Sequence, residues 1–242
     1  MTASTLIFLL LMAFGASFIQ RVTGFGFGVF IMTVLPHMMP SYGEATALSG
    51  LLAMGTVVVT TVQYRKFIRW KRLIPILLTF LVFSFLAVQT VSHIDDVLAK
   101  HVLGAILILV SLYFFFANGR IHLKPTLAVQ IGMGTLSGWM GGFFAMQGPP
   151  AVIYFLSVAE KKEEYIVLTS LYFLLGNLAM TGFRAAAGFV TPLVMRAVLY
   201  ALPAVILGLV LGHYVYKKLP IEIIRKVVYA YMAVSGVLAL FL

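Results

Sequence analysis

The 242-residue sequence contains no cysteine, and only 10% of its residues are charged. The lack of cysteine excludes disulfide scaffolds, thiolate metal sites and thiol redox chemistry. Because 62% of the residues are apolar, the chain has too little polar surface for a soluble domain. The composition therefore predicts an integral membrane protein whose solvent is the lipid bilayer.

Acidic residues are also scarce: there are seven, all at or near the ends of predicted loops. We therefore expect no clearly buried carboxylate where a proton relay or a sodium site would need one. Glu44 is the best candidate for protonation and His37 the second, although a solvated acid at a helix start also explains Glu44. The five histidines are scattered and no nucleophile with a base is visible, so the sequence predicts no intramembrane enzyme, metal site or cofactor.

Basic residues give the chain a formal net charge of +10. They lie in short loops between apolar runs, which indicates membrane topology and no nucleic-acid partner. If loop 65–72 is cytoplasmic, thirteen of the seventeen Lys and Arg residues are inside, leaving Lys100, Arg184 and Arg196 outside and Arg21 in the first interrupted segment. This bias places both chain ends outside a bacterial cytoplasmic (inner) membrane. The first apolar run lacks the basic front of a signal peptide, so we expect it in the mature fold.

The apolar runs predict an all-α polytopic fold of two repeats, 1–117 and 126–242, joined by a cytoplasmic linker at 118–125. Each repeat has one broken or re-entrant helix pair and three transmembrane helices, an odd number that inverts one repeat relative to the other. The pairs lie at 4–40 and 126–157, and the crossings at 43–64, 73–92, 98–117, 165–187, 191–214 and 221–242. Each arm of the first pair has about 16 residues, roughly 24 Å, which is short of the ~30 Å hydrocarbon core.

Helix-breaking residues interrupt both predicted pairs. In the second, Gly138-Trp-Met-Gly-Gly-Phe-Phe-Ala-Met-Gln-Gly-Pro-Pro-Ala-Val-Ile-Tyr154, we expect Gln147-Gly148 to be unwound and Pro149-Pro150 to start a helix. The unpaired N–H groups of Ala151 and Val152 would then carry the positive end of a helix dipole, which suits an anion. A similar glycine-rich interruption occurs in the first pair, at Thr23-Gly-Phe-Gly-Phe-Gly28. Two interrupted segments in corresponding halves indicate a transporter's binding site.

Polar side chains near these breaks are the candidates for anion contact. Arg21 could face a cavity or extend to the interface, and Arg184 could hold an anion or answer lipid headgroups. Gln147 could bond the freed backbone without any ligand, and buried hydroxyls often bond their own helix carbonyls. The predicted site comprises Gln20, Arg21, Thr23, Gly24, Gly26, Gly28, Gly141, Gly142, Gln147, Gly148, Pro149, Pro150, Ala151, Tyr154, Thr169, Tyr172, Asn177 and Arg184.

Both glycine-bearing segments, Gly24-Phe-Gly-Phe-Gly28 with Pro36 eight residues on, and 138–154, resemble the paired signatures of the sulfite exporter TauE/SafE family of membrane permeases. The similarity extends over nearly the whole chain. It implies secondary transport, often export, of sulfite, organosulfonates or other small anions. In the family such glycines commonly run longer, whereas Phe143-Phe144-Ala145 here replaces part of the second run.

We therefore expect an exporter of a small anion, such as sulfite, an organosulfonate or a small carboxylate, bound between the broken pairs near the bilayer midplane. A passive anion channel is the alternative, because the same helix ends could line a pore. The sequence is also compatible with a homo-oligomer.

Overall fold

The computed structural model of the chain describes residues 3–91, 93–116, 123–216 and 237. Regular structure in this part is helical, with a 3₁₀ turn at Arg65–Phe67, so the predicted all-α class is confirmed. The α-helices are α1 Ala3–Thr23, α2 Phe27–Ile31, α3 Leu35–Met38, α4 Tyr42–Gln63, α5 Trp70–Val91, α6 Asp96–Phe116, α7 Leu127–Phe144, α8 Gly148–Val158, α9 Lys162–Ala186 and α10 Pro192–Tyr216.

Six of the described helices, α1, α4, α5, α6, α9 and α10, are long and apolar enough to cross a membrane. α4 and α9 are the most buried of the six and pack against each other at the centre of the molecule. Large apolar side chains on α5, α6 and α10 point outward, as they do in helices that face lipid. The chain is therefore an integral membrane protein with a central helix pair.

Short polar contacts define where the central elements begin. The Ser41 hydroxyl accepts the Glu44 N–H at 3.2 Å and caps α4. The Thr126 hydroxyl accepts the Val129 N–H at 3.4 Å and caps α7 in the same way. These caps lie within two residues of the predicted segment starts.

The first interrupted pair differs from the prediction in two respects. Its first arm, α1, has 21 residues, so it is long enough to cross the hydrocarbon core and the prediction of a short arm is wrong. The helix continues through Arg21 to Thr23, and Gly24, the next residue, has a positive φ angle. The second arm is two short helices, α2 and α3, joined by a turn, instead of one apolar helix.

Two predicted segments lie outside the described residues. These are most of the linker at 118–125 and the crossing at 221–242.

Glycines allow two pairs of helices to approach closely. Gly134, Gly138 and Gly142 stand one turn apart on α7 and face α5, where added Cβ atoms would lie 2.6, 2.9 and 2.8 Å from the successive carbonyl oxygens of residues 76, 80 and 84. On α10, a Cβ at Gly212 would lie 3.0 Å from the Phe18 carbonyl oxygen of α1. Small residues of this kind drive helix association in membranes, where apolar burial gives little driving force.

One arginine holds the far end of α8. Arg72, near the start of α5, donates at 2.6 Å to the carbonyl oxygen of Val158, the last residue of α8. It also pairs with Glu164 at 2.6 Å and with Glu160 at 2.5 Å. The hydrogen bond from Arg72 lowers the pKa of the exposed Glu160 carboxyl. The cluster ties α5, α8 and α9 together.

Two carboxylates are more buried than the sequence suggested. Glu164 is 3% exposed and Glu44 is 8% exposed, so the interpretation of Glu44 as a solvated acid is wrong, although both acids lie in the first turns of their helices, near loop ends. Burial is tolerated because Arg72 forms an ion pair with Glu164, and because the Thr191 hydroxyl donates a hydrogen bond to Glu44 at 2.7 Å.

The packing of α7 on α5 predicts a contrast between two alanine substitutions. Gly142→Ala places a Cβ that overlaps Ala87 and lies 2.8 Å from the Ser84 carbonyl oxygen, whereas a Cβ at Gly132, on the same helix, meets nothing within 4 Å. We expect Gly142→Ala to destabilise the protein by about 1–3 kcal/mol, the usual cost of overpacking. Thermal unfolding of the detergent-purified protein measures the effect, with Gly132→Ala as the matched control. Equal unfolding temperatures for the two variants would contradict the close packing.

Candidate functional site

The first break separates α1 from α2. Gly24 and Gly26 have φ angles of +83° and +99°, in the left-handed region that L side chains rarely adopt. The backbone polar groups that the break frees form hydrogen bonds with nearby side chains. Thr23 Oγ1 lies 2.9 Å from the Ile19 carbonyl oxygen and 2.6 Å from that of Phe25, and Gln20 Oε1 accepts the Phe27 N–H at 3.1 Å. Thr23 and Gln20 therefore stabilise the interruption from within the first segment.

The second break separates α7 from α8. α7 ends where Ala145 takes a φ of 54°, and α8 begins at Gly148, one residue earlier than predicted. Ser137 Oγ donates to the Gln147 carbonyl at 2.6 Å, and the Tyr172 hydroxyl donates to Ser137 Oγ at 2.8 Å. These bonds come from α7 itself and from α9, so they tie the break to the preceding helix and to one neighbouring helix.

The position of this helix start changes which N–H groups are free. In a helix that begins at Gly148, the first intrahelical bond runs from the Ala151 N–H to the Gln147 carbonyl. Pro149 and Pro150 have no N–H. Among the described residues, the N–H of Gly148 has no backbone or side-chain acceptor. A free donor is thus at Gly148, three residues before Ala151, where the sequence predicted the first one.

The two breaks meet in the centre of the molecule. A Cβ on Gly28 would overlap the carbonyl oxygen of Ala145, so α2 touches the second break with no side chain between them. A cavity of about 30 Å³ lies at this junction. The lining residues are Gln20, Gly26, Phe27, Gly28, Val29, Ala53, Val57, Ala145, Met146, Gln147, Gly148, Phe173 and Asn177.

Six residues of the predicted site line this cavity, and they are its polar and glycine members: Gln20, Gly26, Gly28, Gln147, Gly148 and Asn177. Sequence reasoning missed the apolar wall supplied by Ala53 and Val57 of α4 and Phe173 of α9. These are ordinary apolar residues of long helices, and no sequence signal separates them from other core positions.

The remaining predicted residues lie elsewhere. Arg21 has Nη1 at 3.1 Å from Thr60 Oγ1 and Nη2 at 2.9 Å from His213 Nδ1, so it joins α1 to α4 and α10. Gly24 faces the hydroxyl of Tyr165. The others do not line the cavity: Thr23, Gly141, Gly142, Pro149, Pro150, Ala151, Tyr154, Thr169, Tyr172 and Arg184.

The cavity has polar groups but no charged lining residue. Asn177 is 5% exposed and has no hydrogen-bond partner among the described residues. Gln147 Nε2 donates to the Phe173 carbonyl at 3.4 Å, while its Oε1 has no donor in the same part of the chain. Amide groups and the Gly148 N–H therefore face a small space, and buried polar groups of this kind are costly unless a water or a ligand answers them.

The fold and this cavity define a class of protein. Several membrane-crossing helices around a site formed by two interrupted segments are the features of a polytopic membrane transporter.

Sequence comparison gives the family. The model of the sulfite exporter TauE/SafE family matches residues 9–239, and the chain belongs to this family of membrane transporters. A protein of Cupriavidus necator named probable sulfite/organosulfonate exporter TauE is 24% identical over 207 residues, which cover 81% of this chain and 78% of that protein. No solved structure matches the chain.

The support of the second break predicts a selective effect of one buried serine. Ser137→Ala removes the donor to the Gln147 carbonyl and the acceptor of the Tyr172 hydroxyl, and we expect a loss of about 1–3 kcal/mol because both groups stay buried. Ser84→Ala is the matched control, since Ser84 is also buried but bonds only the Leu81 carbonyl of its own helix. Thermal unfolding in detergent compares the two. A Ser84→Ala protein as unstable as Ser137→Ala would contradict the assignment.

Proposed function

We propose that the chain is a secondary transporter that exports a small anion, sulfite or an organosulfonate. The sulfite or the sulfonate group passes through the cavity between the two breaks. The observation that carries the proposal is the junction of two interrupted helices at a small cavity with unanswered polar groups. The match to a relative named for sulfite and organosulfonate export supports the substrate class.

The chemistry of the cavity suits an oxyanion that must bind and then leave. The Gly148 N–H lies at the positive end of α8, and the amide groups of Gln20 and Asn177 can donate to anionic oxygens. No lining lysine or arginine holds the anion with a full charge. Transport requires binding strong enough to admit the solute and weak enough to release it. Neutral donors meet both conditions.

The size of the cavity limits what it holds. A volume of about 30 Å³ is roughly twice what one water molecule requires. The cavity in this conformation therefore fits the compact head of a small oxyanion. A larger organosulfonate needs the walls formed by Val57 and Phe173 to move apart.

The packing of the helices supports the inverted repeats. α1 packs along α10 and α7 packs along α5, while α4 and α9 pack on each other. Exchanging α1 with α7, α4 with α9 and α5 with α10 reproduces the same set of pairs. Such a relation places equivalent breaks on both sides of a central site, and rocking of one repeat against the other then opens the site to alternate sides.

We place the protein in a bacterial inner membrane with the Lys-rich and Arg-rich loops inside. A monovalent anion that leaves a negative-inside cell gains about 2.3 kcal/mol per 100 mV of membrane potential. Export along this gradient needs no coupling ion.

A charge reversal at the cavity wall tests the function. Asn177→Asp puts an acidic group beside the site, and we expect it to weaken sulfite binding by about tenfold or more, because like charges repel strongly in a low-dielectric cavity. The measurement is sulfite-dependent thermal stabilisation of the purified protein, together with exchange of radiolabelled sulfite in proteoliposomes.

Asn177→Leu is the matched control, because it removes the same amide without adding charge and we expect a smaller loss. Wild-type protein that neither binds nor exchanges sulfite or methanesulfonate would refute the proposal. Measurable current through single proteins in a planar bilayer would favour the channel instead of the transporter.

A further inference from the structure

Arg184 is a buried cation whose hydrogen-bonding capacity is only partly used. It is 1% exposed, near the end of α9. Its Nη2 donates at 2.8 Å to the Gly141 carbonyl and lies 3.4 Å from that of Gly142. Its Nε and Nη1 have no partner among the described residues. The three N–H groups on these two atoms therefore remain available to an acceptor.

No carboxylate in the described part of the chain neutralises this guanidinium. Both ion pairs found there belong to Arg72. An unpaired buried charge is strongly unfavourable, and such a group usually has a counter-charge, bound ion or ligand. An intramembrane cation that faces the interior of the helix bundle is therefore expected to serve a solute pathway.

Other unanswered polar atoms lie beside the free end of Arg184. A Cβ on Gly50 of α4 would lie 2.9 Å from Arg184 Nη1, 3.7 Å from Asn177 Oδ1 and 3.9 Å from Thr181 Oγ1. Thr181 Oγ1 is also buried without a partner among the described residues. These three side chains thus converge on the glycine at position 50, where any Cβ would crowd Arg184 Nη1.

Asn177 connects this space to the cavity. Asn177 lines the cavity and Arg184 follows it by seven residues on α9, which is about two helical turns, or roughly 10 Å, along the same face. Arg184 lies toward the end of the bundle where α4 begins. The distribution of Lys and Arg predicts that this end is outside.

We propose that Arg184 Nη1 and the Thr181 hydroxyl over Gly50 form a second oxyanion site beside Asn177, which takes the sulfite or sulfonate group after it leaves the central cavity. This inference rests on the proposed function and extends it to the exit route. The guanidinium attracts the anion out of the neutral cavity, and the capped Nη2 keeps the free edge of Arg184 oriented toward Gly50. The anion then passes in two short steps, from neutral donors to a cation.

A pair of alanine substitutions on α4 tests the second site. Gly50→Ala puts a Cβ 2.9 Å from Nη1, close enough to push Nη1 aside, whereas a Cβ at Gly55, on the same helix, meets nothing within 4 Å. In proteoliposomes we expect Gly50→Ala to slow exchange of radiolabelled sulfite by about tenfold and Gly55→Ala to remain within about twofold of wild type. Sulfite-dependent thermal stabilisation should persist in both variants, because sulfite still binds in the central cavity.

Two substitutions, one that removes the charge and one that keeps it, test Arg184 itself. Arg184→Gln should slow exchange at least as much as Gly50→Ala, and Arg184→Lys should retain part of the rate, because it keeps the charge but loses the planar donors. If Gly50→Ala fails to fold, this second pair decides the question.

The outcomes separate the two proposals. If wild type exchanges sulfite and Gly50→Ala exchanges it as fast as Gly55→Ala, Arg184 only caps α7 and the second site is refuted. The same holds if Arg184→Gln and Arg184→Lys exchange at equal rates. If wild-type protein does not exchange sulfite at all, the proposed function itself fails.

Discussion

The structure depends on one constraint: backbone N–H and C=O groups at membrane depth must find partners inside the protein. Both breaks satisfy this constraint with side chains of the helix that precedes them, and the second also uses a residue of α9. At the first, Thr23 and Gln20 answer the freed groups from the preceding helix. At the second, Ser137 also donates from the preceding helix, to the Gln147 carbonyl, and Tyr172 of α9 donates to Ser137. These bonds leave the Gly148 N–H beside the cavity without an acceptor in the described part of the chain, and in our proposal this N–H donates to the anion.

The charged side chains near the breaks differ in what they contact. Arg72 fixes the far end of α8 through two carboxylates and a carbonyl. Arg21 joins three helices and does not line the cavity. Arg184 differs from both, because Nη2 caps the end of α7 while Nε and Nη1 have no partner among the described residues. Charge is thus kept out of the cavity and placed where it either holds helices together or, in our proposal, receives the anion.

The sequence was sufficient to predict the all-α membrane class, the two interruptions and the polar lining at Gln20, Gln147 and Asn177. These features have local causes, since glycine and proline break helices wherever they stand and isolated amides in apolar runs are conspicuous. Long-range pairings had no such signal. The contact of Arg21 with His213 joins positions 192 residues apart, and that of Arg72 with Glu164 joins positions 92 apart. The burial of Glu164 depends on that pairing, so its position near a loop end did not predict it.

The central claim is that water and small anions reach the junction of the two breaks. Because the chain has no cysteine, single cysteines can test this directly. Ala53→Cys lies in the cavity wall, and Val59→Cys lies on the exposed apolar face of the same helix. Only a hydrated thiolate attacks a water-soluble thiosulfonate reagent, forming a disulfide and releasing a sulfinate, so in proteoliposomes we expect the reagent to modify Ala53→Cys and not Val59→Cys, at a rate that methanesulfonate reduces. An Ala53→Cys protein that is unreactive, or that reacts at a rate independent of methanesulfonate, would contradict the account.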